Sequence, residues 1–321
     1  MKSLIRDFFA AFVWGFLLPG LALSVLVMIQ PFRSREALPA DKPVYEPGGI
    51  RYPVRLQKEN RTREEDLDVY LIGVVLAEMP ASFEPEALKA QAVAARTYAR
   101  KAYETGGKHG DGSVCEDPAC CQAYISPEEY LRQGGTEADL EKVIRAVEAT
   151  SGQVLMYEGE LIEATYFSCS GGSTEDALEV WGTDYPYLRA VDSPGEEEAT
   201  FYRSTVSFAP EAFAEALGIA PEGSPESWFG LTDYTPSGTV RSIRIGTETF
   251  TGTELRSRLG LRSAAFTVEV TDGQILLTTK GYGHRVGMSQ YGADAMALAG
   301  STFDEILAHY YKGTTLERFG N

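Results

Sequence analysis

A chain of 321 residues with 44% hydrophobic and 11% aromatic side chains can bury a sizeable core as one large domain or two modest ones, which excludes a disordered or fibrous protein. With 29 Lys and Arg against 46 Asp and Glu the net charge is −17, so phosphate backbones are repelled and nucleic acid is not an expected partner.

Residues 8–29 form a run of 22 positions without a charged side chain. At ~1.5 Å rise per residue that run spans roughly 33 Å, enough to cross a bilayer core. No A-x-A-like run of small residues follows it, so residues 1–30 are expected to be a short cytoplasmic tail and an uncleaved transmembrane signal anchor. Lys2 and Arg6 precede the span and Arg33 and Arg35 follow it, so charge barely decides orientation. The short tail points to a single-pass protein of the cell membrane with the rest of the chain extracytoplasmic, facing envelope polymers. Residues 31–53, rich in Pro and holding a Gly-Gly pair, read as a linker, and residues 54–321 as the folded domain.

The stretch YPVRLQ predicts a first strand. From Asp66, the residues Leu67, Leu71, Val74 and Glu78 recur at the spacing of one helical face. Glu78 thus falls on an apolar stripe, where desolvation raises the pKa of a carboxyl toward that of a general acid. The competing reading is a helix-end glutamate whose alkyl stem covers the core. Pro80 ends this helix, and Pro85 opens a second, Ala-rich one through Arg96 and Tyr103 that must pack beside it.

Thr105–Gln122 breaks all periodicity and holds three of the four cysteines. His109, Cys115 and Cys121 are spaced by six and six, a ligand set for zinc; a pair of disulfides drawing on Cys115 or Cys169 is the alternative. Two short helices are expected over 127–151, and a hairpin around Glu158-Gly159. The stretch YFSCSGGSTEDALEVWG reads as turn-like, its Gly-Gly pair either admitting a ligand or supplying a turn. Residues 183–236 read as an irregular surface segment, and 238–279 as strands flanking a short helix at Gly252–Leu259. The end passes from a Gly-rich turn, where His284 binds substrate or braces the loop, into helices in which His309 is structural. Its glycines match no dinucleotide or P-loop spacing.

Three stretches taken together, LIGVVLAEMPASFEPEALKAQAVAARTYA, YFSCSGGSTEDALEVWG with YPYLRAVDSP, and GYGHRVGMSQYGADAMA, resemble the stage II sporulation protein D family of spore-forming bacteria. The resemblance implies an α+β fold in which the helical pair carrying the catalytic glutamate packs with a β-rich part to form a substrate groove. It implies a membrane-anchored lytic transglycosylase that cuts peptidoglycan glycan strands during forespore engulfment, leaving 1,6-anhydro-N-acetylmuramic acid ends. Partners would be the glycan strands, a sporulation amidase and other engulfment proteins. By the family's motifs Glu78 is the catalytic acid and Arg96 the matching arginine, expected to fix a sugar carboxylate or the Glu78 side chain, while Ser168, Ser170, Ser289 and Gln290 are expected to supply hydrogen bonds to the glycan and His284 to contact substrate. Some members are similar also in holding zinc through a His and two Cys, matching His109, Cys115 and Cys121. Amidase enhancers share the domain, so a non-catalytic glycan-binding enhancer is the alternative. A zinc hydrolase using the loop metal is a second one.

Overall fold

The computed structural model describes residues 51–56 and 61–319. The expected membrane anchor and nearly all of the linker lie outside the described residues, among which no helix is long and apolar enough to cross a membrane. Strand β1 (Arg51–Leu56) opens the described chain, slightly ahead of the domain start expected at residue 54. It pairs antiparallel with β2 (Arg61–Asp66) and parallel with the short β3 (Val114–Cys115).

Asp66 converts strand into helix. Its Oδ1 accepts the backbone N–H groups of Asp68 at 3.0 Å and Val69 at 3.2 Å, satisfying donors that the first turn of α1 (Leu67–Glu78) would otherwise leave open. Helix α2 (Pro85–Thr105) starts at a proline whose missing N–H costs nothing there, and stops at Gly106 with φ +86°. Alanines dominate its surface, so neighbours approach closely on several sides. It packs against α1, against α4 (Glu137–Ala149), and against the later α8 (Gln290–Leu298) and α9 (Phe303–Tyr310). The amphipathic stripe expected for α1 is only part of the picture: Tyr70 to Leu76 are buried all round, because helices and the segment after residue 121 enclose it. Helix α3 (Pro127–Arg132) and α4 are the expected short pair, each capped by a hydroxyl, Ser126 and Thr136.

Strand β4 (Gln153–Tyr157) turns through Glu158 and Gly159, both with positive φ, into β5 (Glu160–Leu161). This is the expected hairpin, and the positive φ of both turn residues matches the twist of the strands. β14 (Thr315–Arg318) pairs with the other edge of β4. Next, β6 (Tyr166–Phe167) leaves that sheet and pairs in parallel with β13 (Met288–Ser289). The five-residue α5 (Ala177–Trp181) follows.

Residues 203–280 form a β-rich lobe. β7 (Arg203–Phe208), β11 (Phe266–Thr271) and β12 (Gln274–Lys280) make one sheet with β12 central. β8 (Phe229–Tyr234), β9 (Val240–Ile245) and β10 (Glu248–Phe250) make the other. Helices α6 (Pro210–Leu217) and α7 (Gly252–Leu259) close a shared core that includes Phe213, Ile243, Leu255, Ile275 and Leu277. The strands and helix expected over 238–279 are present. Residues 183–236, expected to be irregular, instead contain β7, α6 and β8. β7 is largely exposed and alternates Ser, Thr and Val, so its pairing with β12 left little apolar period in the sequence. Pro210 and Gly218 do bracket α6 at the positions that signal a helix start and stop.

Candidate active site

Glu78 is the last residue of α1. Met79 is already extended, and Pro80 cannot continue the ladder, so the glutamate projects at a helix end into a groove. Its Oε1 accepts the backbone N–H of Ala123 at 2.7 Å, and its Oε2 accepts Gln290 Nε2 at 3.3 Å. Burial raises its pKa above the ordinary value of 4.5, and these two hydrogen bonds only partly offset the rise. A helix C-terminus, where unpaired carbonyls gather negative charge, opposes ionisation in the same sense.

The Ala123 donor is held by a close backbone approach. Ile125 N–H donates to Gly73 O at 3.2 Å, and Tyr124 stacks on Tyr70 with centroids 5.6 Å apart. A Cβ at Gly73 would lie 2.3 Å from the Tyr124 ring and 2.7 Å from Ile125 O, so α1 has no room for any other residue there. Gln122 extends the support: it accepts from Tyr166 Oη at 2.8 Å and donates to Tyr70 Oη at 3.4 Å.

The groove encloses about 780 Å3 and runs from Glu78 past Tyr98, the Cys120–Ala123 segment and Tyr166 to Trp181 and His284. Ser168, His284 and Gln290 line it, as a substrate-contact role requires. His284 sits between Phe167 and Trp181, at ring separations of 5.5 and 5.3 Å. Its Nδ1 accepts Val286 N–H at 3.1 Å, and burial depresses its pKa to about 4, so the ring is neutral at physiological pH.

Three residues expected to touch substrate do not reach the groove. Arg96 is 2% exposed and donates to Asp68 Oδ1 through Nε at 3.0 Å and Nη2 at 2.8 Å. It also bonds the carbonyls of Val147 and Gln153, so it ties α2 to α1, α4 and β4. Ser170 is fully buried, its Oγ donating to Glu196 Oε1 at 2.9 Å. Ser289 is fully buried and caps α8 by accepting Gly292 N–H. In each case the motif residue builds the frame, because its polar atoms are consumed by the protein itself.

The turn-like Ser-Cys-Ser-Gly-Gly stretch wraps a carboxylate that the sequence did not single out. Glu196 accepts from Ser170 N–H at 2.7 Å, Cys169 Sγ at 3.0 Å and Ser193 Oγ at 2.5 Å. Arg285, with φ +66°, clamps the same stretch to the β-rich lobe through Ser170 O, Ser173 O and Thr239 Oγ1, all at 2.8 Å.

Other acids sort by position. Glu84 stands at the N-cap position of α2 without a side-chain capping bond, and Glu86 lies in its first turn, where it pairs with Lys89 at 2.6 Å. Glu175 is buried against Thr235 Oγ1, and Glu179 pairs with Arg241. Glu163, unnoticed in the sequence, is the second carboxylate of the groove, and Lys101 Nζ engages it at 3.0 Å.

One wall of the groove is the cysteine loop. His109, Cys115, Cys120 and Cys121 bring one ligand atom each to within 4.8 Å of one another. His109 Nε2 lies 3.7 Å from Cys120 Sγ and 3.6 Å from Cys121 Sγ, and the two sulfurs are 3.8 Å apart. A tetrahedral zinc with Zn–S of about 2.3 Å and Zn–N of about 2.0 Å requires edges of roughly 3.8 and 3.6 Å, which the His109, Cys120 and Cys121 separations match, and Cys115 lies within 4.8 Å of them as the fourth candidate. Cys169, which the disulfide alternative could have used, is buried elsewhere against Glu196.

A mixed α+β domain that sets one desolvated glutamate into an open, aromatic-lined groove defines the class to which the comparisons add a family. The SpoIID model, described as Stage II sporulation protein, matches residues 56–157. The chain is similar to stage II sporulation protein D of Bacillus subtilis (strain 168), with 40% identity over 83% of this chain and 79% of that one. It is also similar to stage II sporulation protein D of Bacillus amyloliquefaciens, with 34% identity over 94% of each chain. The amidase enhancer of Bacillus subtilis (strain 168) is 30% identical over 78% of this chain, which spans 40% of that longer protein. The chain belongs to the stage II sporulation protein D family.

Proposed function

We infer that this protein is a lytic transglycosylase of the sporulating cell, cutting peptidoglycan between N-acetylmuramic acid and N-acetylglucosamine. The observation that carries the reading is Glu78: a carboxyl with a raised pKa, fixed by Ala123 and Gln290 in a groove of about 780 Å3. Protonated Glu78 gives its proton to the bridging oxygen as the C1–O bond breaks. The 6-hydroxyl of the muramic acid then attacks C1 and returns its proton to Glu78, closing the anhydro ring without water. Held in the groove, that hydroxyl outruns solvent by its effective concentration.

The zinc set enters the same reading as a structural ion. Four protein ligands leave no open position for water, which separates this site from a hydrolytic one, and the ion would brace the loop whose Gln122 and Ala123 hold the Glu78 environment. The uncharged run at 8–29 supports a single-pass anchor that presents the domain to the cell wall, beside an amidase and the engulfment machinery. A second reading, a glycan-binding enhancer of an amidase, draws on the similarity to the amidase enhancer.

Purified protein incubated with defined glycan strands tests both. Products ending in 1,6-anhydro-N-acetylmuramic acid, one water lighter than hydrolysed ends and lost in Glu78→Gln, are expected. Reducing ends would move the chemistry to hydrolysis with Glu163 as the base, and no cleavage at all would leave the enhancer reading.

A further inference from the structure

Helix α7 of the β-rich lobe carries Arg256 into the wall between two cavities. One is the Glu78 groove, and the other, of about 560 Å3, is lined by Thr235, Thr239, Arg241 and Thr253 among others. Trp181, Arg256, Gly283 and His284 line both, so the cavities meet at the Trp181–His284 pair.

Arg256 is half-buried, and its guanidinium has no hydrogen-bond or ion-pair partner among the described residues. Other arginines of this region are engaged. Arg241 makes two bonds of 2.7 Å to Glu179, Arg285 is saturated by carbonyls and hydroxyls, and Arg262 stacks on Phe201 and Tyr282. Among the described residues no counter-ion is close: Glu179 is taken by Arg241, His284 is neutral, and Lys108 across the groove is itself a cation. Burial depresses the Arg256 pKa, as expected of a cation that has lost water and gained no anion. In a protein of net charge −17, a half-desolvated and uncompensated guanidinium facing a cavity is a site prepared for an anion. Its planar fork of donors matches a carboxylate in two parallel hydrogen bonds. Beside it Trp181 is 41% exposed, offering an apolar ring face against which a sugar can stack.

We propose that Arg256 and Trp181 form a subsite for an acidic sugar, in which Arg256 binds the lactyl carboxylate of an N-acetylmuramic acid residue while Trp181 supports its ring. The subsite rests on the glycan reading of the groove, and it makes the β-rich lobe a part of substrate recognition. It discriminates an acidic sugar from a neutral one, because only the former supplies the missing charge.

The test is calorimetric binding in the full chain carrying Glu78→Gln, so that no turnover intervenes. Three ligands are compared: peptide-free strands with free lactyl carboxylates, the same strands with each lactyl group capped as a methyl amide, and chitotetraose. Adding Arg256→Gln is expected to weaken the first by about tenfold or more, the usual worth of a charge-assisted pair, and to leave the other two within about twofold. Arg256→Lys should recover part of the loss, and unchanged chitotetraose binding certifies the fold. Equal losses on all three ligands, or none on the acidic strand, overturn the subsite. Cleavage by the wild-type protein is scored separately, so failure of Glu78 chemistry and failure of the subsite give different results.

Discussion

Replacing Arg96 by Met separates a framework role from a substrate-binding one. Asp68 receives two hydrogen bonds from Arg96, at 3.0 and 2.8 Å, and a third from Ser151 Oγ at 2.5 Å. Both partners of the ion pair are buried. Met preserves most of the apolar stem but leaves the Asp68 charge without its cation and strips the Val147 and Gln153 carbonyls of a donor. Removing one member of a buried pair costs about 3–5 kcal/mol, far above the ~0–1 kcal/mol of a surface pair. For a domain of this size that is a fall in Tm on the order of 10 °C. Urea unfolding followed by circular dichroism measures the loss. The folded fraction should retain its affinity for glycan, because Arg96 lies outside the groove. A double variant, Asp68→Asn with Arg96→Met, should recover a substantial share of the stability, since no uncompensated charge is left. An Arg96→Met protein of unchanged stability that no longer binds glycan would refute the framework assignment.

Gly73→Ala should displace Tyr124 and Ile125, costing about 1–3 kcal/mol, and lower turnover by about tenfold through loss of the Ala123 bond to Glu78, measured as kcat at saturating strand. The pH dependence follows from the raised Glu78 pKa: cleavage falls as pH rises through it, because the acid must carry its proton. For stability the sign is that the folded state keeps this proton to higher pH than the unfolded one. The stability tied to Glu78 is therefore full below about 4.5 and is lost as pH rises from there through the folded pKa. Glu78→Gln should accordingly have a higher Tm than wild type at neutral pH, with the difference vanishing below about 4.5. Metal analysis should find about one zinc per chain, and Cys120→Ala or chelation should lower Tm and cleavage together by loosening the Ala123 segment.

What the sequence determined by itself is local. Pro80, Pro85 and Gly106 set the ends of the two central helices, Glu158-Gly159 sets a hairpin, and Gly252–Leu259 is bounded by its own capping box and a terminal glycine. These features are written in short runs because backbone geometry depends on near neighbours. Glu78 was legible for the same reason, standing at a helix end just before a proline. Its desolvation was legible too, from the apolar stripe; its hydrogen-bond donors were not, since they come from Ala123 and from Gln290, 45 and 212 positions away. Distance along the chain also hid Glu163 and Arg256, which reach the groove only once β5 and α7 are packed. Arg96, Ser170 and Ser289 show the converse. A motif gives residue types and spacing, but whether a polar atom faces substrate or the protein depends on which partners tertiary packing places against it. Burial gave Arg96 to Asp68, Ser170 to Glu196 and Ser289 to the cap of a helix. Cys120 joins the proposed ligand set in the same way, since only the folded loop brings one ligand atom from each of His109, Cys115, Cys120 and Cys121 to within 4.8 Å of one another.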